Sequence, residues 1–247
     1  MTIVITGGTK GIGLAIAARL ARPGETLVLG YRSDEPSAAA AKLRLEALGA
    51  KVTTIGADVG EVAGAARLME AAADAGGPIH LIHNAAMIYP TSLLGADLAR
   101  FTQAIHVNGL SLLYLVQAAL PLLERGSSIV FISSAGARTP QANYAALGVG
   151  KALAESLVRY LVAELAPRGV RINAVAPGLV HTTSVAGMVG GEDAAQRVIE
   201  RAARSNPSGR LAEDDDYTAV VEFLLSPGSA FVQGQVIHAN GGAYVPA

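Results

Sequence analysis

Hydrophobic positions along the chain fall into two kinds of stretch. Short runs rich in Val, Ile and Leu, with little polar alternation, occur at Ile3–Thr6, Thr26–Leu29, Lys51–Gly56, Ile79–His83, Ser128–Ser133, Val170–Val175 and Gln235–His238. Such runs mark strands buried on both faces. Between them lie alanine-rich stretches of helical character, roughly at 11–22, 36–48, 61–75, 97–124, 143–165 and 213–225. The alternation predicts βαβ units and, with seven strands in this order, one doubly wound parallel sheet with helices on both faces. No linker, repeat or low-complexity tract divides residues 1–247, so a single domain is expected. The irregular part is 177–211, opened by Pro177-Gly178 and holding a helical piece near Asp193–Arg204. A loop that long in a compact domain reads as a substrate loop, at about 178–211.

Composition narrows the function classes. Hydrophobic residues make up 51% of the chain, much of it alanine, and no run reaches the roughly 18–20 apolar residues of a membrane span. The most apolar stretch, Leu110–Leu123, is broken by Ser111, Gln117 and Pro121. No basic leader precedes Ile3-Val4-Ile5, which reads as a cytoplasmic protein without a signal segment. There is no cysteine, which excludes disulfides, thiolate chemistry and the common structural zinc sites. The five histidines (His80, His83, His106, His181, His238) show no metal-ligand spacing, and His83 and His106 are expected as ordinary strand-end and helix residues. A net charge of -1 without a long basic run argues against nucleic acid as a partner.

The chemistry begins at Thr6-Gly7-Gly8-Thr9-Lys10-Gly11-Ile12-Gly13, directly after the first strand and opening the first helix. Glycines there let the backbone turn sharply and approach a pyrophosphate, whose charge is favoured by a helix N-terminus. The remaining polar motifs also follow strands. Asp58-Val59 follows the third, His83-Asn84-Ala85-Ala86 the fourth, and Asn108 lies in the next long helix. Tyr144 and Lys151 share the helix after the fifth strand, Pro177-Gly178 follows the sixth with Thr182 just beyond, and Asn240-Gly241-Gly242 comes near the end. Strand C-termini are where Rossmann-type folds bind ligands.

In order and spacing these motifs resemble the short-chain dehydrogenase/reductase family over essentially the whole length. The resemblance implies that the turn of Gly7, Thr9, Lys10, Gly11, Ile12 and Gly13 holds a nicotinamide dinucleotide. It also implies that Asp58 accepts from the adenine while Val59 packs on it. Asn84 steadies the fourth strand, Ala85 and Ala86 line the groove with Pro177 and Gly178, and Thr182 holds the carboxamide. Charge selects between the two nucleotides. The second strand ends Leu29-Gly30-Tyr31-Arg32-Ser33, with no carboxylate before Asp34. Arg32 and Ser33 are placed to take a 2′-phosphate, with Lys10 as a second cation, so NADP(H) is favoured over NAD(H).

Most members of that family carry Tyr-x3-Lys, in which the Lys holds the ribose and lowers the tyrosine pKa, while the Tyr exchanges a proton with the substrate oxygen. Here the spacing is Tyr144-x6-Lys151, and Leu147 fills the usual tyrosine position. Tyr144 lies one turn further off, about 4.5 Å along the axis. In a ketone the hydride acceptor and the oxygen needing a proton share one carbonyl. In an α,β-unsaturated thioester they lie several bonds apart, which suits a displaced donor aimed at the developing enolate. The spacing is similar to that of the enoyl-acyl-carrier-protein reductase branch, and Ser133-Ser134-Ala135-Gly136 resembles its NADPH-dependent members. The second tyrosine many of them carry is Ser134 here.

The resemblance therefore implies Tyr144, Lys151, Ser134 and Asn108 as catalytic residues, the last through a water relay to the lysine. The expected substrate is a small molecule or a carrier-bound acyl group, with enoyl reduction leading. Carbonyl reduction is the alternative, and a non-catalytic NADPH-binding regulator follows from Leu147. Arg197, Arg201 and Arg204 recur at helical spacing, either as a solvated face or for an anionic carrier. By analogy, helices 100–124 and 143–165 predict a homodimer or homotetramer.

Overall fold

The structure is a computed structural model and describes residues 1–76 and 78–245, leaving out the side chains of 183 and 184. Strand β1 (Thr2–Thr6) alternates its side chains across the sheet. Ile3 and Ile5 enter one hydrophobic cluster and Val4 the other, all three fully buried. The same two-sided burial holds for β2 (Thr26–Tyr31), β4 (Ile79–His83) and β5 (Ser128–Ile132), which explains their unbroken apolar runs. With β3 (Lys51–Gly56), β6 (Arg171–Pro177) and β7 (Val236–Ala239) they form one parallel sheet in the order β3-β2-β1-β4-β5-β6-β7. The order reverses beside β1. The C-terminal ends of β1 and β4, paired Thr6 to His83, thus open a crevice at the topological switch point.

Helices α1 (Gly11–Leu20) and α9 (Asp214–Leu225) cover one face, and α3 (Val62–Ala75), α5 (Ser111–Ala119) and α6 (Ala145–Leu165) the other. Each fully buried Leu or Ile in these layers contributes roughly 1.5–3 kcal/mol. Helix α2 (Glu35–Glu46) is capped by the Asp34 side chain, which accepts from the Ser37 N–H.

Two expected elements differ. The helix expected over 97–124 is three pieces: α4 (Leu98–Ile105), a π-helical turn His106–Leu110, and α5, which ends at Ala119 shortly before Pro121. The extra residue per turn swings Asn108 out of the i→i−4 ladder so that its amide can bond elsewhere. The loop expected over 178–211 holds α7 (Thr183–Val189) as well as α8 (Glu192–Ser205), separated by Gly190 and Gly191 at φ 88° and 135°.

Helix α6 reaches the π-turn through two glycines. A methyl group on Gly150 would stand 2.5 Å from the Asn108 Cβ, and one on Gly109 would stand 2.8 Å from the Gly150 carbonyl oxygen. The backbones therefore touch with no side chain between them. Gly150→Ala is expected to destabilise the fold by about 1–3 kcal/mol through overpacking. Gly187→Ala on α7, where a methyl meets nothing within 4 Å, should be neutral or stabilising by up to about 1 kcal/mol. Urea unfolding of both variants checks the contrast, and equal effects would contradict it.

Candidate active site

The crevice is built first from the glycine turn. Gly7 and Gly11 have φ of 60° and 53°, the left-handed region that favours glycine. At Gly13 a methyl would overlap the Gly7 carbonyl oxygen and crowd the Asn84 amide. No side chain fits at Gly13, so the start of α1 packs backbone to backbone against the Gly7 turn. Asn84 closes the turn from the other side by donating from Nδ2 to the Gly7 carbonyl at 3.0 Å. Thr6 Oγ1 accepts from the backbone N–H of both Asn84 and Ala85, each at 3.0 Å. Across the turn, Thr182 lies within reach of Gly11, its Cγ2 3.6 Å from where a methyl would be. A concave backbone cradle at a helix N-terminus fits a pyrophosphate. The residues that would hold a dinucleotide there are the turn itself, Ala85, Gly178 and Thr182, the Gly178 N–H being fixed to the Ala239 carbonyl at 2.8 Å.

The second half of the crevice is the start of α6. Tyr144 is the N-cap residue, following Asn143 in the left-handed region at φ 59°, and the Asn143 carbonyl accepts from the Thr91 N–H at 3.2 Å. The tyrosine ring lies against Gly136, where a methyl would overlap Cε1. A methyl on Gly148 would stand 2.5 Å from the Gly136 carbonyl. These two glycines make a slot for the ring. The Tyr144 hydroxyl donates to Ser134 Oγ at 3.0 Å. Ser134 also accepts from the Gly136 N–H at 3.2 Å, as N-cap of the short 3-10 turn Ala135–Ala137. With two donors on its oxygen, its own hydrogen is free for a third partner.

Burial pushes the Tyr144 hydroxyl above its ordinary value, with the Ser134 bond opposing. The phenol is therefore neutral and able to donate, and the lowering expected from a neighbouring lysine is not its controlling influence. Lys151 is buried, donates to the Ile132 carbonyl at 2.7 Å and lies 4.5 Å over the Phe131 ring. Desolvation lowers it to about 7. Leu147, between the two, is buried and carries no polar atom. Asn108 is fully buried. Its Oδ1 accepts from the Met87 N–H at 2.8 Å, and its Nδ2 donates to the carbonyls of Met87 at 3.0 Å and Ala146 at 3.4 Å. It ties the π-turn to α6 and to the segment after β4.

The structure thus brings Tyr144, Ser134, Lys151 and Asn108 together around the start of α6, and Gly7–Gly13, Asn84, Ala85 and Thr182 around the turn. Three of the expected cofactor contacts have partners within the protein. Lys10 pairs with Asp34 at 2.9 Å. Arg32 and Ser33 are exposed, and Arg32 has no ion-pair partner among the described residues. Val59 is packed into the core with Ala65 and Leu68. Asp58 holds its own turn, its Oδ1 accepting from the Gly60 N–H at 2.9 Å. The sequence disclosed Gly136 only as part of the serine-pair motif and did not disclose Gly148, since the slot they form depends on the Tyr144 ring, nor did it disclose the polar contacts of His83.

The family model described as Enoyl-(Acyl carrier protein) reductase matches residues 7–244. A 1-cyclohexenylcarbonyl-CoA reductase of Streptomyces collinus is 31% identical over 99% of this chain and 87% of its own. An L-rhamnose 1-dehydrogenase (NAD(P)(+)) of Azotobacter vinelandii is 32% identical over 99% of this chain and 96% of its own. The crystal structure of a short chain dehydrogenase from Burkholderia cenocepacia in complex with NADP superposes with a TM-score of 0.86 at 30% identity, covering 98% of this chain and 96% of that one. With the glycine cradle and the Tyr144–Lys151 helix already in place, these matches decide the class: the chain belongs to the short-chain dehydrogenase/reductase family and is an NAD(P)-dependent oxidoreductase.

Proposed function

We propose that the chain reduces the carbon–carbon double bond of an α,β-unsaturated thioester with NADPH. The observation that carries this reading is the placement of the Tyr144–Ser134 hydroxyl pair. Tyr144 and Ser134 are hydrogen-bonded to each other one turn before the position that Leu147 fills. The nicotinamide nucleotide supplies the hydride. Ser134 then donates a hydrogen bond to the thioester carbonyl, and the neutral Tyr144 releases its proton to the oxygen on which charge develops. Lys151 holds the nicotinamide ribose and stabilises the same oxyanion through space. The 31% identity to a 1-cyclohexenylcarbonyl-CoA reductase supports the alkene.

Two observations support the phosphorylated nucleotide. Arg32 is exposed just after β2 and free of carboxylates among the described residues, and Asp34 is committed elsewhere. Its carboxylate oxygens already accept from the Lys10 ammonium, the Ser37 hydroxyl and the Ser37 N–H, where a ribose-chelating acid would present them to the nucleotide. On α8 the exposed Arg197, Arg201 and Arg204 suit an anionic acyl carrier. A dimer or tetramer is supported by Val149 and Tyr160, which α6 leaves 48% and 77% exposed.

Carbonyl reduction is the second reading, favoured by the 32% identity to a sugar dehydrogenase and by a serine–tyrosine pair that equally suits a ketone oxygen. Purified protein assayed with crotonyl-CoA and with acetoacetyl-CoA separates them. Oxidation of NADPH with crotonyl-CoA, faster than NADH, is expected. Turnover of the ketone alone would sink the enoyl reading. Tyr144→Phe should lower kcat by about 10²–10⁴-fold with little change in KM.

Lys151 gives a second test, read without substrate. Its folded value of about 7 lies below the ordinary 10.5, so between those limits the unfolded chain binds more protons and folding stability rises with pH. Below about pH 7 both states carry the proton and the burial cost is complete. Lys151→Met in the cofactor-free protein should therefore melt above the unaltered chain at pH 7, the gap closing toward pH 10.5. A gap that is constant or widens with pH would contradict a buried ammonium whose pKa desolvation lowers.

A further inference from the structure

His83 is fully buried at the C-terminal end of β4, and both its ring nitrogens are occupied. Nδ1 lies 2.7 Å from Thr6 Oγ1 and Nε2 lies 2.6 Å from Ser111 Oγ. The directions of these bonds follow from their neighbours. The Ser111 hydroxyl donates to the Val107 carbonyl at 2.7 Å, so Ser111 can only accept from the ring, and Nε2 carries the hydrogen. Nδ1 is then the acceptor and the Thr6 hydroxyl its donor. That leaves the Thr6 lone pairs for the Asn84 and Ala85 N–H groups, which they accept at 3.0 Å each. Every donor and acceptor in the chain has one partner and one sense.

The two ends of this chain belong to different halves of the crevice. At one end Asn84 and Ala85 form the backbone turn against Gly7. At the other, Val107 is the residue before Asn108 in the π-turn. We propose that neutral His83 is a positioning residue, a polar link that holds the dinucleotide-side turn of Asn84-Ala85 in register with the π-turn that carries Asn108. A second ring hydrogen would face the Thr6 hydroxyl head-on and force it to rotate, releasing one of the two amides. The surroundings keep that hydrogen away. Burial lowers His83 to about 3, and Lys151, stacked on the far partner Phe131, acts in the same direction. An ordinary strand-end histidine would need none of these contacts.

The link rests on membership of the dinucleotide-dependent family and not on the enoyl reading, so its test uses cofactor binding alone. Dissociation constants for NADPH and NADH are measured by cofactor fluorescence on the full chain, beside melting temperatures. Ser111 is fully buried and reaches the cradle only through His83, which makes it the informative site. Ser111→Ala and His83→Leu are each expected to weaken binding of the tighter nucleotide by about tenfold, the scale of one buried hydrogen bond lost. In the double variant the two effects should not add, because either change breaks the same chain. His83→Gln, whose amide can still bridge a donor and an acceptor, should recover part of the loss. If His83→Leu does not fold, Ser111→Ala decides alone. Variants that melt lower yet bind within twofold of the unaltered protein would reduce His83 to a packing residue and overturn the proposal, as would strictly additive losses.

Discussion

Helix α6 approaches the rest of the catalytic half at backbone distance, and almost every contact there depends on it. Gly150 admits the π-turn and Gly148 admits the 3-10 turn after Ser134, so two glycines spaced i,i+2 let two loops close on opposite sides of the same helix. With side chains at those positions the helix would stand off by the thickness of a methyl group or more. Asn108 would then lose the Ala146 carbonyl, Tyr144 would lose the Gly136 surface under its ring, and Lys151 could not reach the Ile132 carbonyl. Close approach also explains the π-turn. The fifth residue of that turn gives the backbone room to pass Gly150 while Asn108 turns its amide toward Met87.

The same closeness excludes water and makes Lys151 expensive. No carboxylate pairs with it among the described residues. The buried acid one turn further on, Glu155, is already spent on the Ser133 hydroxyl at 2.7 Å and Arg138 at 2.8 Å. That arrangement serves the site in two ways. It clamps both ends of the turn carrying Ser134, and it leaves the ammonium without a local counter-ion. A positive charge in that state gains most from an anionic or hydroxyl-rich partner, which a dinucleotide ribose and a developing oxyanion both provide. Stability is given up in the empty protein and returned on binding.

What the sequence disclosed follows the range of the forces involved. The strands were legible because burial on both faces erases polar alternation locally, and all seven are found, with ends shifted by one or two residues. The family motifs were legible because they recur in chain order, several of them directly after a strand. Contacts that join distant positions were not. The stretch 97–124 has helical periodicity throughout, and only Asn108 meeting Met87 and Ala146 breaks it. The pairing of Lys10 with Asp34 depends on the turn after β2, 24 residues away. The packing of Val59 against Ala65 and Leu68 depends on how α3 docks on the sheet. His83 looked like an ordinary strand-end residue because Thr6 and Ser111, its partners, lie 77 and 28 residues distant.

The position of the tyrosine shows how little backbone change moves a hydroxyl. Ser134 is fixed by its own 3-10 turn, and Lys151 by the sheet beneath it. Between them a helix offers hydroxyl positions only in steps of about 1.5 Å along the axis and 100° around it. Keeping the face and changing the distance therefore means moving a whole turn, from the position of Leu147 to that of Tyr144. At the helix start the ring is no longer supported by a preceding turn of helix. Asn143 in the left-handed region and the bare backbone of Gly136 supply the support instead. A hydroxyl held that way meets Ser134 at 3.0 Å, and the buried, apolar Leu147 lies between Tyr144 and Lys151 along the helix. On the proposed reading, a substrate whose oxygen lies several bonds from its hydride-accepting carbon suits a hydroxyl set back by that turn, and one whose oxygen is attached to that carbon does not.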